Sequence, residues 1–92
     1  MAHILEVTER ESMIPVFKGC METTYYVSTT NTTGAPEIYR VVLVTRDDGR
    51  VEILDVFVQR TNGRFAILNK NKHATRWNQV GWWVVGEHKK TL

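Results

Sequence analysis

The sequence predicts a mainly β domain: an antiparallel meander or small barrel of five to six strands, SH3-like or OB-like, with one or two short helical turns. A sheet backed by a single helix is the α+β alternative. Three observations predict this class. Segments rich in Val, Ile, Tyr, Thr and Phe are short and separated by polar turn residues. The glycines Gly34, Gly49 and Gly63 each stand singly between two such segments. The chain has 92 residues, enough for one core, with no repeat, linker or low-complexity tract, so residues 1–92 are read as a single domain.

His3 to Thr8 mixes apolar and polar residues as a strand does, and Thr8-Glu9-Arg10-Glu11 matches a capping box that opens one helical turn, stopped by Pro15. Glu22 to Thr30 is a strand, with Tyr25 and Val27 on one face and Tyr26 on the other. Asn31 to Pro36 is a loop, where Gly34 permits positive φ and Pro36 lacks a ladder donor. Ile38 to Thr45 is apolar on both faces apart from Arg40, which predicts a central, covered strand. Arg46 to Arg50 forms a hairpin turn into Val51 to Gln59, and Thr61-Asn62-Gly63 a second one into Arg64 to Leu68. From Asn69 to Asn78 the spacing of Ala74, Trp77 and Val80 predicts a short helix, with Asn71 as cap and Gly81 as stop. Trp82 to Val85 is read as a closing strand and the polar tail from Glu87 as fraying.

Hydrophobic residues make up 42% of the chain and charged residues 24%, a globular balance and not that of a disordered segment. No apolar run approaches a membrane span. The N-terminal residues lack the pattern of a secretory signal, and Cys20 stands alone, so a reducing, cytoplasmic setting is expected and Asn31-Thr32-Thr33 is read as a plain loop. Cys20 is read as a small buried or half-buried thiol. His3, His73 and His88 are isolated, without the paired spacing of a zinc site, and the scattered glycines build no phosphate cradle. No metal and no cofactor is therefore expected.

Charge is segregated along the chain. Residues 1–55 carry nine acids and five bases, whereas residues 56–92 carry seven bases and Glu87 alone. The basic residues interleave with aromatics, as in proteins that hold single-stranded nucleic acid, where cations follow phosphates and bases stack on rings. The leading expectation is a non-enzymatic module that binds single-stranded nucleic acid or another polyanion through the sheet face and the 70–76 loop. Arg60, Arg64, Lys70, Lys72, His73 and Arg76 form its cationic part; Trp77 and the outward member of Trp82 and Trp83 form its stacking part. An acidic protein surface is the other partner class, met by a small inhibitor of the mobile-element type that docks on a host enzyme. A third reading is a metal-independent ribonuclease, with Glu52 or Asp55 as base, Arg64 as cation and His73 or His88 as acid. A homodimer through an edge strand at Thr23 to Thr29 is also expected.

Overall fold

The computed structural model describes residues 5–11, 14–17, 19–29 and 36–91. The elements in chain order are β1 (Leu5–Arg10), β2 (Ile14–Phe17), β3 (Cys20–Thr29), β4 (Ile38–Arg46), β5 (Val51–Gln59), β6 (Phe65–Ile67) and α1 (Ala74–Lys89). All pairings are antiparallel, and the sheet runs in the order β1-β3-β4-β5-β6, with β2 beside β1 on the same edge of β3. No pairing among the described strands joins β1 to β6, so the sheet is open and one helix backs it. The mainly β class and the β4-β5-β6 meander agree with the sequence, and barrel closure is absent among the described residues. No described helix is long and apolar enough to cross a membrane.

The hairpin turns form where their chemistry places them. Arg46 N–H donates to the Arg50 carbonyl at 2.8 Å, and Gly49 takes φ +89° between them. In the second turn Arg60 N–H donates to the Arg64 carbonyl at 2.8 Å, with Gly63 at φ +83°. The Asp48 and Asn62 side chains each accept a backbone N–H at 3.0 Å, from Arg50 and Arg64 respectively. Those short polar side chains are suited to such turns because they satisfy the turn's own backbone.

Several expectations are overturned. Thr8 to Glu11 form no helical turn: Thr8 Oγ1 donates to the Tyr26 carbonyl, Glu11 N–H donates to the Thr24 carbonyl, and the Glu11 carboxylate accepts from Tyr26 Oη–H. The two residues that would cap a helix thus bind β3, and a bulge between Val7 and Glu9 absorbs the extra residue. Pro15 is a strand residue opposite Met21, on an edge where its missing N–H breaks no ladder bond. Trp82 to Val85 are helical, because α1 continues through Gly81 as far as Lys89. The segment Thr23 to Thr29 is no edge, since β4 pairs with it on one side and β1 and β2 on the other. An edge-strand dimer at that segment is thereby removed.

The helix is explained by what it buries. Trp77, Val80, Gly81, Val84, Val85 and His88 fall on one stripe and pack on Tyr25, Val27, Tyr39, Val41, Leu43, Val56 and Val58. Burying that stripe outweighs the strand preference of four consecutive bulky residues. Gly81 marks close approach and not a stop: a Cβ there would lie 2.7 Å from Ile53 Cδ1. His88, in the supposedly fraying tail, is completely buried. Strand alternation then leaves Tyr26, Arg40 and Phe57 on the face opposite α1.

Candidate functional site

The β5–β6 turn and the turn between β6 and α1 lie at one end of the sheet, and they carry the predicted cations. Arg60 and Arg64 are exposed on the first; Lys70, Lys72 and His73 are exposed on the second. Arg60 and His73, far apart in sequence, line one cleft of about 340 Å³ with Glu37, Gln59, Thr61 and Arg76. Asn69, and not Asn71, organises the approach to α1: its Oδ1 accepts the backbone N–H groups of Asn71 at 2.9 Å and Lys72 at 3.0 Å. His73 occupies the N-cap position without a side-chain cap, and no acidic residue stands in the first turn of α1. The positive end of the α1 dipole is thus left without an acidic side chain of the helix itself.

Charge pairing divides the predicted cations. Arg76 is neutralised by Glu37, and its Nε–H also donates to Tyr39 Oη at 2.7 Å. Tyr39 Oη–H in turn donates to Glu37 at 2.9 Å. The tyrosine hydrogen bond holds the Arg76 pKa above its ordinary value, while burial raises that of Tyr39. Arg76 therefore locks α1 to β4 and is spent on the fold. Arg60, Arg64, Lys70 and Lys72 have no carboxylate partner among the described residues. Lys89 and Lys90 are separated from them by the length of α1, about 24 Å for its 16 residues, and Lys90 pairs with Glu87. The basic half of the sequence thus splits between two ends of the molecule.

The aromatic part is also divided. Trp77 is a core residue at 7% exposure, with the Lys70 ammonium 4.6 Å from its ring centroid. It presents no stacking face. Trp83 is half-buried against the core, whereas Trp82 is 52% exposed on the outer stripe of α1. The helical rotation of 100° per residue, and not strand alternation, separates the two rings. Trp82 Nε1–H donates to Asn78 Oδ1 at 3.1 Å, and the space beside Gly86, one turn further on, is open. None of the predicted cations contacts Trp82 within cation–π range.

The other predicted chemistry is not assembled. Glu52 is held by Arg46 at 2.8 Å, which lowers its pKa through that hydrogen bond, and it lies about 25 Å along β5 from the Arg60–Arg64 turn. His88 is enclosed, with Nδ1 2.7 Å from Tyr25 Oη and Nε2 3.0 Å from Thr45 Oγ1. Glu52 as base and His88 as acid therefore do not meet Arg64. Among the described residues no three His, Cys, Asp or Glu side chains gather as metal ligands. Cys20 is buried, at the start of β3, two residues before the predicted strand. His3, Lys18 and the 31–35 loop lie outside the described residues.

One cluster escaped the sequence: Tyr26, Arg40, Phe57 and Phe65 meet on the face opposite α1. Alternation along each strand puts three of them outward, but only the pairing register sets Arg40 between Tyr26 and Phe57. Neither a protein-family model, nor a curated protein, nor a solved structure matches this chain.

Proposed function

We propose that this chain is a binding module that docks a polyanion, single-stranded nucleic acid foremost, at its basic end. The observation that carries the reading is that Arg60, Arg64, Lys70 and Lys72, without carboxylate partners among the described residues, stand exposed on two turns whose Arg60 and His73 line one cleft. Cations held in ion pairs gain little from a phosphate, because the carboxylate must first be displaced. Unpaired ones release condensed counterions, and that release drives association. Arg76 and Trp77 support this end from within and make no contact in the proposed complex.

Anisotropy of a labelled oligo-deoxythymidine of about 12 nucleotides, titrated over a range of salt, tests the reading. Binding should weaken with a log–log slope of about −2 to −3, near 0.7 per phosphate contacted on a single strand. The triple variant Arg60→Gln, Arg64→Gln, Lys72→Gln should lose most of that slope and about tenfold or more in affinity. No binding by the wild-type protein at low salt would end the proposal.

A second reading, docking on a protein, is favoured by Trp82 alone. An exposed indole beside an open glycine surface has the character of an interface anchor. It stands on the outer stripe of α1, about 13 Å along the helix from His73, so the two readings use separable surfaces. Trp82→Ala should leave oligonucleotide affinity within about twofold of wild type; a larger loss would assign the ring to the nucleic-acid surface.

A further inference from the structure

Two residues of α1 lie outside what the fold requires. Trp82 leaves 52% of its surface in solvent, although a large ring gains most from burial. Gly86 stands in the body of the helix without a positive φ, at a place where glycine lowers helix stability relative to alanine. Its neighbours do not demand it either: a Cβ there would meet no atom within 4 Å among the described residues. Gly81 differs, since Ile53 occupies the space that its side chain would need.

The two residues are one turn apart on the outer stripe of the helix. Four residues turn an α-helix by about 400°, so Trp82 and Gly86 point within about 40° of each other. Thr75, Gln79 and Lys89 are exposed on the same side. A ring projecting from a helix and a gap one turn away are a knob and a hole on one surface. Two such surfaces fit each other when the helices run antiparallel. A two-fold axis crossing α1 midway between residues 82 and 86 sets each indole over the glycine of the other copy. The same axis brings Gln79 opposite Lys89, an amide oxygen facing an ammonium, so the cation of the stripe does not meet its own like. An unlike partner would need a pocket for the indole and would leave Gly86 without a reason. A second copy accounts for both residues at once.

We infer that the outer stripe of α1 is an antiparallel two-fold interface with a second copy of this chain, Trp82 of each seated on Gly86 of the other. That contact rests on the reading of Trp82 as an interface anchor and names its partner. The 16 residues of α1 span about 24 Å, so one helix face buries less than the about 800 Å² per partner of a standard interface. Association is accordingly weak and concentration-dependent, with a Kd on the order of 100 μM.

Sedimentation equilibrium of the wild-type protein between about 10 μM and about 1 mM should show monomer passing into dimer. Trp82→Ala should weaken association about tenfold or more, because it removes the knob. Gly86→Leu should weaken it as much by filling the hole, while its thermal midpoint holds or rises, since leucine is the better helix former. Mixing the two variants should restore association severalfold over either alone: one indole regains its glycine, and the leucine of one copy faces the alanine of the other. A wild-type protein that stays monomeric at about 1 mM overturns the inference and leaves the indole to an unlike partner, so the anchor reading survives. A dimer untouched by Trp82→Ala overturns both. Variants that each lose association and do not recover on mixing overturn the antiparallel register, and the inference with it.

Discussion

Trp77→Ala is expected to destabilise the protein by about 3–5 kcal/mol, the cost of deleting a large aromatic side chain from a packed core. A 92-residue domain has about 5–14 kcal/mol in total, so the variant should be marginally folded. At about 4–8 °C per kcal/mol the midpoint of thermal unfolding should fall by roughly 15 °C or more. Trp77 sits on the first turn of α1 at 7% exposure, and its ring also anchors the Lys70 ammonium, so truncation frees both the helix start and the preceding turn. Trp82→Ala, on the outer stripe, should stay within about 0.5 kcal/mol. Urea unfolding followed by circular dichroism compares the two. A fully stable Trp77→Ala protein with impaired oligonucleotide binding would return Trp77 to the contact surface.

His88→Ala is expected to cost about 3 kcal/mol or more, from a different cause. The ring joins Tyr25 on β3 to Thr45 on β4 from the last turn of α1, and its removal leaves a cavity and two hydroxyls without their partner. Both partners are hydroxyls, which can donate or accept, so a neutral imidazole with one N–H and one bare nitrogen satisfies both contacts. Burial, with a smaller contribution from the Arg10 charge, holds the His88 pKa below its ordinary value of 6.5. In the unfolded chain the same group takes up a proton near that ordinary value, ahead of the folded one. The stabilisation is consequently complete above about pH 6.5 and is lost as pH falls towards the folded pKa, at up to about 1.4 kcal/mol per pH unit. Unfolding free energies measured between pH 7.5 and about 5 should decline for wild type, and the His88→Ala variant should lack that part of the decline. Parallel curves for the two proteins would show that His88 does not carry the linkage.

The parts of the fold legible in the residues were those decided by neighbours in the chain. Asp48-Gly49 and Asn62-Gly63 specify their hairpins because short polar side chains and glycine satisfy a turn locally, so β4, β5 and β6 were foreseen nearly to the residue. The capping box at Thr8 was legible too, and it misled. Its two side chains serve a helix or an adjacent strand equally well, and β3 offered the better partner. Trp82 to Val85 misled for a similar reason, since bulky residues suit a strand until a core face recurring every three to four residues asks for a helix. The candidate site divided along the same line. Exposure of Lys70, Lys72, Arg60 and Arg64 followed from their polar turns, whereas the neutralisation of Arg76 depended on Glu37, 39 positions away.

By itself, then, the chain's order of residues determined a mainly β domain, its meander, its turns and a basic C-terminal half, because each of these arises from interactions spanning a few residues. Tertiary structure alone decided which cations remain unpaired, which indole faces solvent, and that Arg40 meets Phe57 and Phe65. Those outcomes depend on the pairing register and on the rotation of α1, both set by burying one shared core. The cost of misplacing that core exceeds any local preference, so local pattern could not announce them.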